Sequence, residues 1–155
     1  MKGWCSIVTY EELKQKHQTE FETFPMLFAY GDEQFKQVME KLGLRPDELD
    51  KIYLFGESGG IYLRTDAPAL HEMLARQKNE IREAMNSYSF ALDAFVCELT
   101  NHEYLATEET DETLEALYLD METVAASKKL TRALNEAIRL LWKYDPFSQR
   151  RRSHA

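Results

Sequence analysis

The run Gly56-Glu57-Ser58-Gly59-Gly60 constrains this chain more than any other, because it lies between two β-favouring stretches, Ile52 to Phe55 and Ile61 to Arg64. Its three glycines supply the backbone freedom that a hairpin loop of this length demands. The flanking residues are β-branched, aliphatic and aromatic, the types that fit a pleated surface. Residues 52–64 are therefore read as a β-hairpin.

The same residues, Phe55 to Gly60, also match the G-x-S-x-G pattern of serine hydrolases. A nucleophile elbow needs a helix directly after its serine, so that a helical amide can help form the oxyanion hole. Here Ile61-Tyr62-Leu63 favours a strand instead. A chymotrypsin-like reading of the loop fails differently, since that fold is almost entirely β and this chain is mostly helical in pattern. Ser58 is assigned to a turn, and no catalytic residue is named.

Helical periodicity accounts for most of the rest. Thr9 followed by Glu12 is a capping-box pattern, and Tyr10, Leu13, His17 and Phe21 share a face, which predicts a helix over about 10–22. After Pro25, the run Met26 to Tyr30 suits a largely buried strand of about five residues. Asp32 is placed to cap a helix carrying the stripe Phe35, Val38, Met39 and Leu42, ended by Gly43. Pro46 suits the first turn of a short helix through Leu49. Beyond the hairpin, Thr65 or Asp66 caps a helix with Pro68 in its first turn and Leu70, Met73, Leu74, Gln77, Ile81 and Met85 along one side. The pattern weakens at Asn86 to Ser89, then resumes with Leu92, Phe95, Val96 and Leu99. Cys97 in this stretch reads as a small buried side chain. Two short acidic-capped helices follow, one through Leu117 and one starting at Asp120. Leu130, Leu134, Ile138, Leu141 and Trp142 define a last amphipathic helix, stopped near Tyr144 by Pro146.

The sum is an α+β protein: a small antiparallel sheet of about three strands packed with helices, then a helical C-terminal half. At 155 residues it fits a single domain over 1–146, with 147–155, including Arg150-Arg151-Arg152, as a disordered basic tail. Leu42-Gly43-Leu44 and Leu117-Tyr118-Leu119 echo one another, as helix–turn–helix junctions do. They are not counted as a repeat.

Charge narrows the partners. The net charge of −8 argues against direct binding to nucleic acid, which needs Lys and Arg to neutralise phosphates. No Lys or Arg occurs between Arg82 and Lys128, whereas Glu108, Glu109, Asp111 and Glu112 cluster within that interval. Such a segment is either a solvated helical face or a docking site for a protein with a basic surface. Neither H-E-x-x-H nor paired E-x-x-H spacing occurs, and Glu98 with His102 is a single i, i+4 pair, so no metal and no cofactor are assigned. Asn101-His102-Glu103-Tyr104 ends an apolar helix, where polar side chains can satisfy free carbonyls. Two cysteines, Cys5 and Cys97, form neither a disulfide framework nor C-x-x-C spacing. With no signal-like start and no apolar run of about 18 residues, a cytoplasmic location without membrane contact is expected.

The stretches Thr9 to Lys14, Phe24 to Phe35, Leu42 to Leu44, Lys51 to Tyr53, Gly59-Gly60, Thr65 to Pro68, Leu70 to Met73 and Asn101 to Tyr104 resemble a family of small uncharacterised proteins of gut bacteria and their mobile elements. The likeness runs to about residue 124. It implies a compact accessory protein and brings no catalytic residue with it. The leading expectation is therefore a non-enzymatic binding or regulatory protein that acts through its acidic surface. The competing expectation is a small enzyme or ligand-binding domain with a polar site between the hairpin and the following helices, built from Arg64, His71, Glu72, Asn101, His102 and Glu103.

Overall fold

The computed structural model describes residues 8–145, so Cys5 and the basic tail lie outside the described residues. In chain order it contains α1 (Tyr10–Thr23), β1 (Leu27–Phe28), α2 (Asp32–Lys41), β2 (Ile52–Phe55), β3 (Gly60–Leu63), α3 (Ala67–Ala84), α4 (Tyr88–Asn101), α5 (Tyr104–Thr107), α6 (Asp111–Ala116), α7 (Met121–Ala125) and α8 (Lys128–Tyr144). Single 3-10 turns, Leu49–Lys51 and Arg64–Asp66, precede β2 and α3. The fold is α+β, with a three-stranded antiparallel sheet and a helical C-terminal half. The chain divides into two compact units, one made of Met1–Lys16 with Lys78–Ala155 and the other of His17–Gln77, the boundary falling inside α1 and α3.

In the unit 17–77 the sheet order is β1-β3-β2. The hairpin forms in the register Ile52↔Leu63, Tyr53↔Tyr62, Leu54↔Ile61 and Phe55↔Gly60. Its second strand begins one residue earlier than the sequence suggests, and Arg64 opens the following 3-10 turn instead of closing the strand. As the central strand, β3 buries Gly60, Ile61 and Tyr62. Val38, Met39, Ile52 and Ile61 form one apolar cluster, and Met26, Tyr62, Ala67 and Leu70 form another.

Three local readings are corrected here. The five-residue buried strand at 26–30 is a two-residue edge strand with Phe28 and Tyr30 exposed, because only one side of it meets a partner. Asp32 is the first helical residue of α2, not its cap; Gly31 occupies the cap position without a side-chain bond. Pro46 sits in a turn closed by Glu48 N–H donating to the Arg45 carbonyl at 3.0 Å, the position after the first residue where its fixed φ fits a β-turn as well as a helix start.

In the other unit, α4 packs along α8. Ala91, Ala94, Ala133 and Ala137 are fully buried, so small side chains let the two helices approach closely around Phe95, Leu99 and Leu134. The break between α3 and α4 comes where the pattern weakens, and Ser87 caps α4 by accepting from Phe90 N–H. Ser127 and Asp120 cap α8 and α7 in the same manner. The first amide of α1, that of Tyr10, donates to the Asp93 carboxylate at 2.8 Å. Among the described residues no helix is long and apolar enough to cross a membrane.

Candidate functional site

Along α4 the residues Ala91, Ala94, Phe95 and Glu98 recur at i, i+3, i+4 and i+7, which places a carboxylate on the helix's buried face. Glu98 is 2% exposed. A carboxylate so placed must be paired and hydrogen-bonded, and this one is. Lys14 of α1 reaches Oε1 with Nζ at 2.6 Å. Asn101 Nδ2 donates to the same oxygen at 3.2 Å, and the Tyr10 hydroxyl, buried in the core, also favours the charged carboxylate. His102 Nε2 lies 3.3 Å from Oε2.

The ionisation behaviour follows from these contacts. Burial by itself pushes the Glu98 carboxyl up, but Lys14, Asn101 and Tyr10 together outweigh it and hold it below the ordinary glutamate value. Tyr10 moves the other way, its hydroxyl driven well above the usual range by burial and then by the Glu98 charge. The site therefore holds a carboxylate and a neutral phenol.

His102 extends the network outward. It caps α4, its backbone N–H donating to the Glu98 carbonyl at 3.0 Å, and its Nδ1 lies 3.0 Å from Oε2 of Glu112 on α6. A ring with hydrogens on both nitrogens serves both carboxylates at once, whereas a neutral ring donates to one. Thr113, fully buried beside Glu112, donates its hydroxyl to the Glu98 carbonyl at 3.3 Å. The segment between, with Glu103 and Glu108 both in the left-handed region at φ 54 and 60, is thus tied down at each end. Glu108, Glu109, Asp111 and Glu112 are exposed on it. Among the described residues no cation pairs with Glu108, Glu109 or Asp111.

The other sequence-selected residues are distributed as follows. Asn101 and His102 join the Glu98 network, while Glu103 is exposed at the turn into α5. Arg64, His71 and Glu72 belong to the unit 17–77. Arg64 donates from Nε to the Ile52 carbonyl at 3.2 Å and lies over the Tyr53 ring, and His71 and Glu72 are exposed on α3. Ser58 donates to the Phe55 carbonyl at 2.6 Å and accepts from Gly60 N–H at 3.2 Å, so its hydroxyl is engaged within its own turn. Cys97 is only partly buried, contrary to the reading of a buried thiol, because it faces aside from the Phe95–Leu99 stripe; partial burial still pushes its thiol up. Sequence reasoning passed over Glu98, Lys14 and Tyr10 as a group. The available signal was a glutamate interrupting an otherwise apolar helical face.

Fold and site together define a small α+β protein whose helical unit is organised around a buried, fully partnered glutamate with an acidic segment anchored to it. The chain belongs to the family described as Family of unknown function (DUF7659), whose family model matches residues 9–140. The match extends past residue 124, where the resemblance seen in the sequence ended. No curated protein and no solved structure matches the chain.

Proposed function

We propose that this protein is a non-enzymatic, cytoplasmic binding or regulatory accessory protein of a bacterium or mobile element, and that it acts by presenting the carboxylates of Glu108, Glu109 and Asp111 to a basic protein surface. The observation that supports this most is the way the segment is held. His102–Glu112 and Thr113–Glu98 fix both the chain direction and the short helix α6, while the neighbouring carboxylates stay exposed and unpaired among the described residues. Fixed charges of one sign steer an oppositely charged partner and set its register. The resemblance to proteins of gut bacteria and their mobile elements supplies the biological setting of this reading.

The test is co-purification of the full chain with its partner from an extract of its host. Retention at low salt with loss at moderate salt supports an electrostatic interface. Retention that is indifferent to salt, or no retained partner, contradicts it.

A further inference from the structure

A second feature of the helical unit runs against the chain's overall charge. A cleft of about 300 Å³ opens between the end of α3, the turn after α6 and the start of α8. Arg82 and Lys129 line it, and among the described residues that line it none is acidic, in a chain of net charge −8. Arg82 is exposed and makes no ion pair among the described residues. Lys129 donates one N–H of its ammonium to the Asn86 carbonyl, which holds the group at the cleft and leaves two further donors. Met85, Leu117, Leu119 and Leu130 give the cleft an apolar wall.

Tyr118, also in the lining, adds to this. Leu117 ends α6, and the bonds from Tyr118 N–H to the Glu115 carbonyl (3.0 Å) and from Leu119 N–H to the Leu114 carbonyl (2.8 Å) make a Schellman closure. Its left-handed position, normally glycine, is here a tyrosine at φ 59, with the Lys78 ammonium 5.6 Å from the ring centre. The chain therefore carries an aromatic ring beside the cleft at a conformational cost that glycine would not incur.

We propose that this cleft binds a small phosphate monoester, the phosphate between Arg82 and Lys129 and the organic group against Tyr118 and the leucines. A monoester carries nearly two charges and three acceptor oxygens at neutral pH, which matches two cations with several donors better than a carboxylate does. A volume near the lower end of small-molecule sites selects a compact organic group.

The test is calorimetric titration of the full chain with phenyl phosphate and, separately, with inorganic phosphate. Phenyl phosphate binds saturably with one equivalent, and inorganic phosphate binds about tenfold more weakly because it lacks the ring. Arg82→Gln weakens phenyl phosphate about tenfold or more, while Arg139→Gln, which removes a cation paired with Glu136 elsewhere on α8, leaves it unchanged. Since Arg82 is exposed, its variant keeps the wild-type unfolding midpoint, which circular dichroism verifies. No saturable binding at millimolar phenyl phosphate, or equal affinity in Arg82→Gln, overturns the proposal. Equal affinity for the two phosphates overturns the assignment of the organic group.

Discussion

At Gly59 the backbone stands at φ +83, and an added Cβ would lie 2.8 Å from the Ala29 carbonyl oxygen. That carbonyl belongs to the residue whose own N–H donates to Gly59, so the contact cannot relax without breaking the β1–β3 edge. Gly56, at φ +56, has open space around the same position. Gly59→Ala should therefore destabilise by about 2–3 kcal/mol and Gly56→Ala by about 1 kcal/mol, measured as urea unfolding free energies. A parallel comparison applies to the two Schellman closures. Gly43 and Tyr118 occupy equivalent left-handed positions, each between a leucine that ends a helix and a leucine that packs back, which explains the echo between the two sequences. If backbone strain is the difference, Tyr118→Gly will be more stable than Tyr118→Ala by about 1 kcal/mol in the same assay.

The residue scale was partly legible: glycines at 43, 56 and 59 announce left-handed backbone, but a tyrosine at 118 does not. At the scale of elements the long helices were legible, because stripes such as Leu130 to Leu141 and caps such as Thr9 and Asp120 are local signals, whereas the short helix expected from Pro46 to Leu49 is a turn. The edge strand at 27–28 was not, since its extent depends on how much of it β3 pairs. Glu98 was legible as an i, i+4 partner of His102, but its burial was not, for a related reason. A carboxylate in the sequence looks solvated until the partners that bury it, Lys14 from 84 residues away and Tyr10, are brought to it.

That network has measurable consequences for α1, α4 and α6. Glu98→Gln leaves Lys14 and His102 without their shared carboxylate, and because the Lys14 side chain is 49% exposed the expected loss is about 1–3 kcal/mol, below that of a fully buried pair. The pH dependence follows from the depressed carboxyl. Above the ordinary value of 4.5 the unfolded chain's glutamate is ionised too, and the stabilisation is fully present; as pH falls through the lower folded value it is lost. Acid unfolding curves should therefore show a shallower decline below pH 4.5 in Glu98→Gln than in wild type. Equal slopes would mean that Glu98 is not the carboxylate being titrated.

For the molecule as a whole, the α+β class could be read from the order helix, strand, helix, hairpin, then helices, because each step is set by local pattern. The acidic segment could be read as composition, but not as an anchored surface, since that depends on the His102–Glu112 and Thr113–Glu98 contacts. The triple variant Glu108→Gln, Glu109→Gln, Asp111→Asn tests its role in partner binding without touching Glu112, the partner of His102. The direct measurement is the affinity of the co-purified partner for wild type and for this variant across a salt series. Wild-type affinity should fall steeply with salt, while the variant should be weakened by about tenfold or more at low salt and show a flatter salt dependence. Equal affinities and equal salt slopes would contradict that role.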